Sequence, residues 1–298
     1  MKKLIAVFFS LFLFAAVKAQ TVDDVVSKFE EAIGGDGLSA IQSLQITSTL
    51  KFDMMNQNMS ITITTIRDRA KFFRRQVSGI MGMGNSYTIL TPGEGYTFTP
   101  AMRGFGGGGG DFGGGGGGGG DRVVVAGRAG PGGGPGGQGG QQAKPVQMDS
   151  VQLAANLFEL DLAGPFAPLV HYASKGNKAE LLGTAKVNKV DCFKVKLTLK
   201  TGQETTYYIS SVDYLIVQSE APAKVMMQQL GMAPMLAMMG AGGRDTQKLT
   251  MGYSEYKNFG GMKYPGKQKL QFGALDIELV NEKIKINEPI EQKWYLLD

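Results

Sequence analysis

Residues 193–200 read FKVKLTLK. Phe193, Val195, Leu197 and Leu199 fall on one side of an extended chain, and Lys194, Lys196, Thr198 and Lys200 fall on the other. Successive side chains of a strand point to opposite faces, so this stretch is a strand with one dry and one wet face, the pattern of an antiparallel sheet. The same period continues to either side. Ala179 to Val187, Cys192 to Leu199, Glu204 to Ser210 and Leu215 to Ser219 are four strands joined by short turns.

Further out, QITSTLKF (45–52), MSITITTIR (59–67) and AKFFRRQV (70–77) alternate in the same way. SYTIL and GYTFT add two short strands across the turn Thr91-Pro92-Gly93-Glu94. Three long strands, TQKLTMGYSEYKNF, MKYPGKQKLQF and LDIELVNEKIKI, finish the pattern, with turns at Asn258 to Gly261 and at Gly273-Ala274. Adjacent residues on a strand face opposite ways, so Tyr207 and Tyr208 divide between inside and outside, as do Phe72 and Phe73.

Helical spacing occurs twice. Thr21 with Asp24 forms a capping-box pattern ahead of Val22, Val25, Val26, Phe29 and Ile33, and Gly34-Gly35 ends that run. A short turn carrying Leu38, Ile41 and Leu44 follows. Met148 to Leu160 is the second helix, with Val151, Leu153, Ala154, Leu157, Phe158 and Leu160 as its apolar set. About a dozen antiparallel strands expose edges unless the sheet closes or nearly closes. The predicted fold is therefore mainly β: a large curved antiparallel sheet, an incomplete barrel, with helices covering its inner face. Small barrels are filled by side chains and wide ones leave room, and the pattern of residues is compatible with either.

The compartment is read from the first residues. Lys2 and Lys3 precede the apolar run Leu4 to Val17, and Val17-Lys18-Ala19 offers a cleavage site before Gln20. Residues 1–19 read as a secretory signal peptide, and residues 20–298 as one exported, periplasmic domain. No cysteine stands at the cleavage position, so lipidation there is not expected. The net charge of +5 mixes acids and bases too evenly to argue for nucleic acid.

Two insertions interrupt the pattern. Residues 104–142 hold more than half of the chain's 44 glycines, beginning GFGGGGGDFGGGGGGGGDR. Phosphate-binding glycine loops sit between a strand and a helix and carry a lysine; this tract has neither the frame nor a G-K-S/T. It also lacks a Gly-X-Y period, so it reads as a disordered excursion from one domain. Without it, roughly 240 residues remain, which one β domain can absorb. Residues 221–244 form a Met-rich insertion with Met226, Met227, Met232, Met235, Met238 and Met239. Thioethers can bind Cu(I), but no His or Cys lies nearby, so an apolar cover is favoured over a metal site.

No catalytic constellation is visible. His171 and Cys192 are the only histidine and the only cysteine. A lone cysteine is ordinarily a small buried hydrophobe, and His171 lies in the loop-like PFAPLVHY. Asp276, Glu278 and Glu282 alternate as the wet face of a strand does. No enzyme activity, cofactor or metal is expected.

The order of segments resembles the outer-membrane lipoprotein-sorting proteins, the LolA-like incomplete β-barrels of the periplasm, in a branch common in Bacteroidetes-type bacteria. The resemblance is carried by VDDVVSKFEEAIGGDGLSAIQSLQITSTLKF (22–52), GEGYTFTP (93–100), the stretch from Leu160 to Glu220, YSEYKNFGGMKYP (253–265) and IKINEPIEQKWY (284–295). It implies a half-open barrel lidded by helices that holds a lipid or an acylated, lipoprotein-like partner. On that reading the ligand would lie among Phe29, Ile33, Phe158, Phe193, Val195, Leu197, Leu199 and Met235. The alternatives are an envelope structural or interaction protein with a filled barrel, contacting another envelope protein or the membrane surface, and, less favoured, a Met-rich copper binder.

Overall fold

The computed structural model describes residues 20–54, 57–79, 84–100, 144–232, 247–273 and 275–297. The predicted signal peptide 1–19, the Gly-rich insertion 104–142 and residues 233–244 of the Met-rich insertion, Met235, Met238 and Met239 included, lie outside the described residues.

Helix α1, Val22–Ile33, starts where the capping box requires. Thr21 accepts from the Asp24 backbone N–H, and the Asp24 carboxylate accepts from the Thr21 N–H. A single turn, α2 (Gly37–Ala40), follows. Five strands come next: β1 (Ser43–Met54), β2 (Gln57–Asp68), β3 (Phe72–Ser78), β4 (Ser86–Leu90) and β5 (Gly95–Phe98). A two-residue strand, β6 (Val146–Gln147), leads into α3 (Ser150–Asn156) and a tighter turn over Leu157–Leu160. Then come β7 (Lys178–Val187), β8 (Val190–Thr198), β9 (Glu204–Ser210), β10 (Ile216–Pro222) and α4 (Ala223–Gln229). The last strands are β11 (Lys248–Ser254), β12 (Lys257–Phe259), β13 (Met262–Tyr264), β14 (Lys267–Phe272) and β15 (Leu275–Ile286).

Among the described residues, thirteen strands form one antiparallel curved sheet in the order β6-β5-β4-β3-β2-β1-β15-β14-β11-β10-β9-β8-β7. It does not close, since β6 and β7 end the series unpaired with each other. The centre is the seam between β1 and β15, which runs from Leu44 opposite Ile286 to Phe52 opposite Ile277.

The core lies on the inner face. Val25, Val26, Phe29 and Ile33 of α1, with Phe166 and Leu169 from the segment after α3, pack against Leu50, Ile63, Val195, Leu197, Tyr207, Met251 and Leu270 of the sheet. Phe166 meets Phe29 and Tyr253 edge-on, with ring centroids 5.8 and 5.1 Å away. Each such side chain contributes roughly 1.5–3 kcal/mol on burial.

Two details refine the sequence reading and two differ from it. Tyr207 and Tyr208 point to opposite faces, yet both are buried, because Tyr208 joins Val187 and Cys192 in a small cluster on the outer face. Phe72 and Phe73 are likewise both buried, in separate clusters. The runs 246–259 and 262–272 are not single strands. Glu255 takes a left-handed φ of 54° and Pro265 has no N–H to donate, so β12 and β13 leave the main sheet as a hairpin of their own. The helix foreseen over 148–160 starts only after Asp149, whose side chain caps it with Gln152 in a capping box, and it tightens after Asn156. Its Val151 is 76% exposed, while Leu153 and Leu157 pack beside Phe73, Leu90 and Leu160.

Candidate functional site

The period of two puts Ile61, Ile63, Thr65 and Arg67 on one face of β2, and Phe73, Arg75 and Val77 on the same face of β3. Both strands thus carry an arginine into the interior. The two meet Glu159, which the tight turn after α3 delivers from the opposite side. Arg67 donates from Nη2 to Glu159 Oε2 at 2.6 Å and from Nε to the Glu159 main-chain oxygen at 3.0 Å. Arg75 donates from Nη2 to Glu159 Oε1 at 2.9 Å and from Nη1 to the Gln228 carbonyl at 3.2 Å. Both guanidinium groups lie over the Phe73 ring, 5.1 and 5.0 Å from its centroid.

The cluster is deeply set. The Arg67 and Glu159 side chains are 3% and 5% exposed, and that of Arg75 is 11% exposed. Burial alone would push the Glu159 carboxyl up, but the charges of Arg75 and Arg67 and their hydrogen bonds outweigh it and hold the carboxyl below the ordinary glutamate range.

Arg75 and Glu159 form the wall between two spaces. On the inner side is a small cavity of about 50 Å³ with a mixed lining, in which Ser48, Thr65, Gln268 and Asn281 stand among Ile63, Met251 and Leu279. On the outer side is an open-mouthed cavity of about 500 Å³, bordered by β3–β5, α3 and α4. Val77, Met148 and Val151 give it apolar walls, Ser86, Thr88 and Thr97 add hydroxyls, and Lys224 stands exposed on its border. None of the described residues that line it belongs to α1.

A second space of about 500 Å³ lies between α1, α2 and residues 161–171. Its border is polar, with Glu30, Glu31, Asp36, Arg69 and Asp161. His171 sits on it with a φ of 51° and donates its backbone N–H to Glu30 Oε1 at 2.6 Å.

The residues singled out from the sequence fall in different places. Phe29, Ile33, Val195 and Leu197 are fully buried in the main core, and Phe193 and Leu199 pack against its margin. The structure thus brings these six together, and none of them borders either 500 Å³ space. Phe158 is half-buried in the turn that carries Glu159. Met235 lies outside the described residues. Among the methionines described, Met226, Met227 and Met232 are buried in the main core. Arg67, Arg75 and Glu159 were not singled out from the sequence. The available signal was parity: each arginine stands on the apolar face of its strand, where an unpaired charge is costly.

Solved structures share this architecture. A LolA superfamily protein from Nitrosomonas europaea superimposes with a TM-score of 0.50 at 10% identity, over 93% of this chain and 99% of that one. A DUF1329 family protein from Desulfovibrio piger gives a TM-score of 0.52 at 8% identity, over 93% and 98%. The chain therefore has the LolA-like fold. Neither a protein-family model nor a curated protein sequence matches it.

Proposed function

We propose that this LolA-like half-barrel is a non-enzymatic binding protein of the periplasm that holds a lipid or an acylated ligand. The observation that carries the reading is the outer cavity of about 500 Å³ between β3–β5, α3 and α4. Its volume falls within the roughly 300–1,000 Å³ of small-molecule sites, and its mixture of apolar walls with a few polar groups is the composition such sites have. An acyl chain entering it gains roughly 0.8 kcal/mol per buried methylene. On this reading the six core residues named from the sequence belong to the packed core rather than to the ligand site, and export rests on the signal-like residues 1–19.

The filled-barrel alternative has one observation in its favour: Phe29 and Val195 are 0% exposed, so the half of the sheet under α1 is packed solid. Such a barrel would act through its surface on another envelope protein. Ligand uptake separates the two. Delipidated protein is titrated with a dye that fluoresces in apolar pockets, and bound dye is displaced with acyl compounds. Ala155→Trp, which fills the cavity from α3, is expected to reduce uptake and leave thermal unfolding cooperative. If the unaltered protein takes up no dye and no acyl compound, the binding reading fails and the filled-barrel reading stands.

A further inference from the structure

We infer that the outer cavity selects amphiphiles with an anionic head group, and that Arg75 receives the head. The inference rests on the binding reading above and narrows its ligand class.

The argument begins with charge. Among the described residues, the ionisable cations across the borders of the inner and outer cavities are Arg67, Arg75 and Lys224, and the only carboxylate is Glu159. Two guanidinium groups therefore share one carboxylate at the dividing wall. Arg67 has the closer share, through Nη2 at 2.6 Å and through the main-chain oxygen of the same residue. Arg75 has the longer contact and fills its second bond with a neutral carbonyl. Of the five N–H groups of a guanidinium, those two are engaged among the described residues.

Two buried cations that share one carboxylate leave a net positive charge among the described residues of this wall, and an anion arriving beside it relieves the cost of holding that charge in the interior. A guanidinium also suits planar carboxylate and phosphate oxygens better than a point charge does. Arg75 is held in place for this role. Its stem packs against Gly231, where a φ of 72° and the absence of a side chain allow close approach; a Cβ there would lie 3.1 Å from Arg75 Cδ and 2.9 Å from Val77 Cγ2.

The rest of the cavity fits the other end of such a molecule. Val77, Met148 and Val151 offer apolar surface to a hydrocarbon tail, and Lys224 on the border adds positive charge where an anion would enter. A neutral acyl group, such as the acyl-amide end of a modified protein, would fill the same space without compensating Arg75.

The test compares head groups on one tail. Dye-loaded, delipidated protein is titrated with palmitate, a palmitoyl lysophosphatidate and hexadecanol, each below its aggregation threshold. Palmitate or the lysophosphatidate is expected to displace the dye at concentrations roughly tenfold or more below hexadecanol, a difference of about 1.4 kcal/mol. The stronger of the two anions distinguishes a carboxylate from a phosphate head. Arg75→Gln is expected to erase the preference while hexadecanol still binds, and Arg75→Lys to restore part of it. Equal displacement by all three in the unaltered protein overturns the inference. So does a preference unchanged in a folded Arg75→Gln protein. The head-group comparison stands without any variant, so a misfolded variant does not remove the test. Failure of all three compounds and of the dye would instead defeat the binding reading itself.

Discussion

The side-chain amide of Gln228 on α4 donates to Oδ1 of Asn156 on α3, joining two short helices 72 residues apart across the rim of the outer cavity. Asn156 is fixed in turn, since its Nδ2 donates to the Gln152 carbonyl one turn back at 2.7 Å. Seven-residue helices have little stability of their own and depend on such contacts. Asn156→Ala is expected to cost about 1 kcal/mol. Hydrogen exchange should show faster amide turnover in residues 150–156 and 223–229 together, with β7–β9 unchanged.

Glu159→Gln removes the carboxylate shared by Arg67 and Arg75. Breaking a buried ion pair by deleting one partner leaves the other charge uncompensated and costs on the order of 3–5 kcal/mol. Denaturant unfolding should show a lower midpoint with an unchanged slope. A loss below about 1 kcal/mol would mean that water or backbone dipoles already stabilise the arginines.

The same group sets an acid limit. The folded-state pKa of Glu159 lies below its ordinary value, so its contribution to stability is fully present above the unfolded-state pKa and is lost as pH falls through the folded value. Stability of the unaltered protein should decline below about pH 4, where an unfolded glutamate takes up its proton. The Glu159→Gln protein should lack that part of the decline. Melting temperatures across an acid series compare the two.

Leu197→Ala probes packing apart from binding. Leu197 is fully buried against the α1 side of the core and borders neither large cavity. Truncation is expected to cost about 2–5 kcal/mol. At temperatures where the variant is folded, dye uptake should match that of the unaltered protein.

Cys192 should be inert while the protein is folded. Its Sγ is buried beside Val187 and Tyr208 on the outer face, and burial raises its pKa above the ordinary thiol value, which disfavours the reactive thiolate. A water-soluble thiol reagent at neutral pH should modify it at the rate of unfolding. Rapid stoichiometric labelling of native protein would show that this outer-face cluster opens locally.

Much of the architecture was legible because alternation is a local property. FKVKLTLK specifies both the strand and its dry face, and Val195 and Leu197 are buried as that pattern requires. The Thr21–Asp24 capping box fixed the start of α1 for the same reason. What escaped depended on distant partners. Nothing near Tyr208 announces that Val187, Cys192 and Val217 will cover it from the outside. Nothing near Arg67 names Glu159, 92 residues further on, although an arginine in apolar register called for such a partner. The space bordered by β3–β5, α3 and α4 could not be located from the sequence either. It depends on how segments far apart in the chain meet, which no single segment encodes.

The seam between β1 and β15 has a consequence for how the sheet is assembled. β1–β5 and β7–β10 each grow by pairing strands adjacent in the chain, whereas Leu44 can meet Ile286 only after the chain has returned across almost its whole described length. Contacts of such separation bear the largest loop-closure cost and form late. Until they form, each half presents a bare twelve-residue border, Ser43–Met54 on one side and Leu275–Ile286 on the other. Each border is complementary to the other in the same chain and equally to its counterpart in a second copy. At high concentration the characteristic misassembled product is therefore a reciprocal exchange of halves, in which two chains share two native seams.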